Sequence, residues 1–194
     1  MKKKFLGSFL LALACATNAM PAAEKASEAE LDLIDAAWRG DLKSVKKHLQ
    51  IPGINVDAKN VDDDTALSLA VINGEAECVR VLLVHGADAD VLECDQGTLL
   101  HMVARKGYII CLEELLKRPL TNVNVQDCYG NTPLHHAAAK GHIECILELM
   151  QHGADVTLAN NDGQVPLQFA ELKGHVACVE ILQAAGKKQL EEQG

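Results

Sequence analysis

Five glycines recur along the chain at almost constant intervals: Gly40, Gly74, Gly107, Gly141 and Gly174, separated by 34, 33, 34 and 33 residues. Other columns keep the same step. Leu33, Leu67, Leu100, Leu134 and Leu167 each stand seven residues before a glycine, and Val45, Val79, Leu112, Ile146 and Val179 each stand five after one. Cys78, Cys111, Cys145 and Cys178 share a further column, which Ser44 occupies in the first unit. A period of this length marks an array of small units that stack on their neighbours to bury a continuous core.

Each unit has the same local grammar. Thr65, Thr98 and Thr132 stand where a helix N-cap is needed, their hydroxyls able to accept from orphan backbone N–H groups. Pro133 and Pro166 come one residue later, where a missing N–H costs nothing. About eight residues on, the glycine ends this short helix with a left-handed turn. A second helix follows, apolar at helical spacing, as in Ile143, Ile146, Leu149 and Met150, and again in Val176, Val179 and Leu182. Turn-rich stretches such as "HGADVTLANNDGQ" lead out of it. With aromatics at only 3%, the core must consist of Leu, Val, Ile, Ala and Cys, which suits closely stacked helices.

The stretch "NTPLHHAAAKGHIECILELMQHGADV" resembles the ankyrin repeat almost throughout. The resemblance covers about residues 28–186 and implies an all-α solenoid of stacked helix-turn-helix units with projecting β-hairpin loops. It divides the chain into an N-terminal capping repeat (28–60), repeats at 61–93, 94–127 and 128–160, a C-terminal repeat (161–186) and a polar tail (187–194). The first unit lacks the Thr-Pro-Leu-His element, and its Glu28, Glu30, Asp32 and Asp35 suit a solvent-facing end. The last unit has Val165 in the capping-threonine column, which predicts a less firmly started helix. Its second helix, "HVACVEILQAAGKK", is not strongly polar, so the tail or a partner is expected to shield that end.

Ahead of the repeats, three lysines, an apolar run from Phe5 to Ala16 and a set of small residues have the layout of a secretory signal peptide. The run is shorter than the ~20 residues a membrane span needs. The expectation is a cleaved signal at 1–19 and a linker at 20–27, hence a periplasmic or secreted protein with no membrane insertion after cleavage. Lipidation of Cys15 is the alternative, although Ala12-Leu13-Ala14 matches a lipoprotein box poorly. The net charge of −9 and pI near 5.3 argue against a nucleic-acid binder, which must neutralise phosphates.

The residue types that could carry chemistry fall in repeat columns. His101 and His135 occupy the family's Thr-Pro-Leu-His position, and the resemblance implies that each bonds to a loop and braces neighbouring units. His142 and His175 occupy the column after the glycine, another usual family histidine. His142-x-x-Cys145 and His175-x-x-Cys178 have helical i, i+3 spacing, but zinc needs further ligands converging on it. No nucleophile stands beside an oriented base, and no phosphate loop is present. An enzyme is therefore not expected, nor any metal or cofactor. Equivalent cysteines of adjacent units should lie a helix-packing distance apart, ~8–10 Å, too far for a disulfide. They read as small apolar core residues. Cys94 and Cys128 form a loop column and are expected to be more exposed.

The resemblance also implies protein binding, usually through the concave side made by first-helix ends and hairpin tips. The helix-end row pairs Trp38 with Arg39, Ile72 with Asn73, Arg105 with Lys106, Ala139 with Lys140, and Leu172 with Lys173. The hairpin row holds Asp62, Asp64, Asp95, Tyr129, Asn131, Asp162 and Gln164. A cationic stripe thus runs beside an acidic fringe, with Trp38 and Tyr129 available as anchors. The residues expected to meet a protein partner are Trp38, Arg39, Asn73, Arg105, Lys106, Tyr129, Asn131, Lys140 and Lys173. The reading is an exported interaction module, expected to be a monomer. The alternative is a thiol- or metal-responsive periplasmic protective protein using the loop cysteines and histidines.

Overall fold

The computed structural model describes residues 26–90, 97–118 and 121–192. The expected signal peptide, most of the linker, Cys15, Cys94 and Asp95 lie outside the described residues. Among the described residues ten helices pair off along the chain. The first pair is α1 (Glu28–Arg39) with α2 (Leu42–His48), and the second is α3 (Ala66–Asn73) with α4 (Ala76–Val84). Next come α5 (Leu99–Lys106) with α6 (Ile109–Leu116), and α7 (Pro133–Lys140) with α8 (Ile143–Gln151). The last pair is α9 (Pro166–Lys173) with α10 (Val176–Glu192). First helices pack on first helices and second on second, so the pairs form a two-layered stack.

The core runs unbroken through the stack and is built from the sequence columns. Leu33, Leu67, Leu100 and Leu134 are buried, as are Val45, Val79, Leu112 and Ile146. Cys78, Cys111, Cys145 and Cys178 are buried with them, each a free thiol. Burial, reinforced by glutamates such as Glu75, pushes the Cys78, Cys111 and Cys145 thiols up to about 11, and Cys178 is raised for the same reason. These thiols stay protonated and unreactive near neutral pH.

The projecting loops contain no strand among the described residues. Three hairpins among the described residues are closed instead by one side chain five residues before the N-cap. Asn60 Oδ1 accepts from the N–H groups of Asp62 and Asp64, Asp127 Oδ1 from those of Tyr129 and Asn131, and Asn160 Oδ1 from those of Asp162 and Gln164. This Asx turn satisfies backbone donors that a sheet would otherwise pair.

The last pair differs from the sequence reading. The stretch taken as a polar tail is helical: α10 continues through Gly186 to Glu192. Gln189 of this extension reaches back to the loop leaving α8, accepting from Val156 N–H at 3.1 Å and donating to Ala154 O at 3.3 Å. These bonds offset the ~1 kcal/mol that a mid-helix glycine costs.

Candidate protein-binding surface

The helix-end row is shaped by the turns. Gly40, Gly74, Gly107, Gly141 and Gly174 each cap a first helix in the left-handed region. The carbonyl two residues before each of the first four turns is then bonded by the next repeat. Asn73 Nδ2 donates to Trp38 O at 2.8 Å, Lys106 Nζ to Ile72 O at 3.1 Å, His142 Nε2 to Arg105 O at 3.1 Å and His175 Nε2 to Ala139 O at 3.3 Å. Three kinds of side chain perform one task, satisfying a helix-end carbonyl across the repeat boundary. Asn73 and Lys106, assigned to a partner from sequence, thus have an internal acceptor. The Lys106 ammonium also sits 5.7 Å from the centre of the Tyr108 ring.

The other residues of the row differ in exposure. Trp38 is 48% exposed, and Arg39 is exposed and ion-paired with Asp35 one turn earlier. Lys140 and Lys173 are exposed, and Arg105 is half-buried. Leu172, paired with Lys173, is 73% exposed. In the hairpin row Tyr129 is 62% exposed, whereas Asn131 is half-buried and its Oδ1 accepts from Asn160 Nδ2 at 2.9 Å. Asn131 therefore belongs to the ladder between hairpins. Tyr129 O likewise accepts from Asn161 N–H at 3.0 Å, which fixes its backbone and leaves its ring outside.

Between the two rows lies a histidine cluster. Thr98 and Thr132 N–H groups donate to Nδ1 of His101 and His135, at 3.1 and 3.0 Å. The far nitrogens, Nε2, donate to Asn131 O at 3.0 Å and Gln164 O at 2.9 Å in the next repeat. One nitrogen accepts and the other donates, so both rings are held neutral. Burial, with His136 nearby, pushes His101 down to about 4 and lowers His135 as well.

His136 escaped the sequence reading as a participant. Its Nε2 donates to Asp127 Oδ2 at 2.8 Å, and its ring meets that of His101 edge-on at 5.6 Å. Burial alone would raise the Asp127 carboxyl, but the bonds from His136 and from the Asn131 and Tyr129 N–H groups bring it below its usual range. Phe169, equivalent to His136 in the next unit, meets His135 edge-on at 5.4 Å. The column five before each glycine carried no single signal: Leu69 and Met102 are buried in it, whereas His136 and Phe169 are half-buried. Among the described residues no group of three or more His, Cys, Asp or Glu is placed to hold a metal ion.

Paired helices and left-handed glycine turns repeated five times, with Asx-closed hairpins between them, define a repeat solenoid. The family description "Ankyrin repeats (3 copies)" matches residues 33–127 and 100–192, and the chain belongs to the ankyrin-repeat family. Family members are protein–protein interaction modules and are generally non-catalytic. The chain is similar to a fowlpox virus (strain NVSL) protein named as an ankyrin repeat protein, at 38% identity over 37% of this chain and 10% of the relative. It is also similar to protein phosphatase 1 regulatory subunit 27 of Mus musculus, at 31% identity over 39% of this chain and 49% of that protein. The chain therefore spans half or less of the length of these relatives.

Proposed function

We propose that this chain is an exported, non-catalytic binding module that grips a partner protein along the face between helix ends and hairpin tips. The observation that carries this reading is the exposure of Trp38 and Tyr129, two of only three Trp and Tyr residues in the chain. Buried at an interface, such side chains dominate binding energy. Arg39, Lys140 and Lys173 give one border of the face positive charge, and Asp62, Asp63 and Asp162 give the other negative charge. A role as regulator or scaffold fits this arrangement, and the mouse relative is named as a regulatory subunit. The thiol-responsive reading is weakened by the buried, strongly protonated thiols of the core, which leave Cys128 as its accessible cysteine among the described residues.

Crosslinking in the native compartment identifies the partner, and calorimetry on variants then tests the face. Trp38→Ala and Tyr129→Ala should each weaken binding by more than ~1 kcal/mol, while Glu180→Ala and Gln183→Ala on α10 change it little. Equal losses at both pairs would refute the assignment. Export rests on the N-terminal pattern, and mass spectrometry should find a mature terminus between Thr17 and Lys25. Acylated Cys15 would indicate a lipoprotein, and an intact Met1 on the membrane-bound protein would overturn cleavage.

A further inference from the structure

The outer face of the second-helix row carries a charge gradient along the stack. On α2, Lys43, Lys46 and Lys47 point to solvent, and none is in an ion pair among the described residues. On α4, Arg80 and Glu77 neutralise one another. On α6, Glu113 and Glu114 outnumber Lys117, and on α8 only Glu144 and Glu148 remain. Exposed apolar side chains interrupt the row: Val84 at 78%, Ile110 at 52% and Leu147 at 40%. Between α2 and α4 runs a groove of about 340 Å³ with Lys46 and Arg80 on its rim and Val81 and Val84 along its side. Leu147 stands on α8 between Glu144 and Glu148, an apolar knob with acidic flanks.

We infer that two copies of this chain pair face to face through their second-helix rows, the α8 face of each set against the α2 face of the other. A two-fold axis parallel to the second helices, between α4 and α6, reverses the order of repeats and preserves height along each helix. Residues in the same repeat column then meet. Lys43 faces Glu144, Lys47 faces Glu148 and Arg80 faces Glu113, and the symmetry makes every contact twice. The pairing sets the basic end of each copy against the acidic end of the other, which also selects this register against a parallel one.

The magnitude of the interface follows from geometry. Four second helices of about 13 Å, packed ~10 Å apart, present roughly 500 Å² per copy. That is at the low end for a specific interface, so the pair is micromolar and salt-sensitive. It departs from the expectation of a monomer drawn from the sequence. It also leaves the helix-end and hairpin face of each copy open, and so does not depend on the partner proposed above.

Sedimentation velocity with matched charge-reversal variants tests the pairing. Wild type should be dimeric at about 100 μM, a hundredfold above a micromolar Kd, and should dissociate as salt is raised. Lys43→Glu with Lys47→Glu should be monomeric, as should Glu144→Lys with Glu148→Lys, each keeping the wild-type circular dichroism. Mixed one to one, the two variants should form a heterodimer, because only then does every Lys–Glu contact have opposite signs. Monomeric wild type overturns the inference, as does a dimer that survives either reversal or a mixture that fails to associate.

Discussion

At the scale of the residue, the two most constrained positions are the turn glycine and the buried histidine. Gly141 and Gly174 have the same left-handed backbone, φ +75° and +73°, so any Cβ strains both alike. Their surroundings differ. A Cβ on Gly141 would lie 2.7 Å from His175 Nδ1, whereas nothing lies within 4 Å of Gly174. Gly174→Ala should therefore cost only the backbone term, ~1–2 kcal/mol, and Gly141→Ala distinctly more. Urea denaturation of the pair measures the difference, and equal losses would mean that the ring moves aside freely. The histidines set the response to acid. His101 is held neutral and its folded pKa is pushed down to about 4, below the ~6.5 of an unfolded histidine. The native state then binds fewer protons than the unfolded one. Its stability contribution is complete above that unfolded value and is lost as pH falls towards 4, at up to ~1.4 kcal/mol per pH unit. His135 acts in the same direction. Gln168 already serves in this column, its Oε1 accepting from Val165 N–H at 2.9 Å. His101→Gln should thus keep the cap and flatten the slope of stability between pH 6.5 and 4, as read by denaturation at several pH values. An unchanged slope would assign acid sensitivity elsewhere, with the Asp127–His136 pair the next place to look.

At the scale of the element, helix starts decide how firmly each unit is made. Thr65 and Ser68 cap α3 reciprocally, whereas at α5 and α7 the ring Nδ1 of His101 or His135 bonds both the N–H and the hydroxyl of the N-cap threonine. The α9 helix keeps half of this device, since Val165 has no side-chain acceptor and only Gln168 reaches back. Threonine has the shape of valine, so Val165→Thr supplies the missing oxygen without repacking. The variant should gain ~0.5–2 kcal/mol, a rise in Tm of about 2–4 °C for each kcal/mol in a chain of this size. A Tm that falls would mean that the half-buried hydroxyl finds no donor. These starts were legible in the sequence because caps, prolines and turn glycines act through bonds to residues only a few positions away. Trp38 and Tyr129 were legible as exposed for the same reason, as columns outside the apolar stripe. What stayed hidden depends on a neighbouring unit. Asn73 and Lys106 read as surface polar groups because the carbonyls they bond, Trp38 O and Ile72 O, belong to the preceding repeat. His136 finds Asp127 only after the hairpin turns the chain back. Gly186 reads as a stop, and α10 passes through it because Gln189 has bonds to make beyond it.

At the scale of the whole molecule, the units are tied by three rails that each join nearest neighbours. Helix ends are joined by the carbonyl bonds from Asn73, Lys106, His142 and His175. Hairpins are joined by His101 to Asn131 O, His135 to Gln164 O, and Asn161 N–H to Tyr129 O. The loops leaving the second helices are joined by Asp88 N–H to Asp57 Oδ1, and Asp155 N–H to Asn124 Oδ1. Such an array is close to one-dimensional, its stability a sum of unit and interface terms. The loop after α8 is bonded by Gln189 of α10, in the place that the loop of the following pair takes at the earlier boundaries. Removing residues 187–194 should therefore loosen the C-terminal end alone. Hydrogen exchange should show lost protection around Ala154–Val156 and through α9 and α10, with α1 to α4 unchanged. Gln189→Ala should give a milder form of the same pattern, about 1 kcal/mol for two bonds at the stack end. Loss spread evenly over all five pairs would mean that the stack unfolds only as one unit, with the end's contribution shared throughout. Unaltered exchange at Ala154–Val156 would instead mean that the α10 extension carries no part of the load, leaving the apolar end of the last pair to be covered by something else.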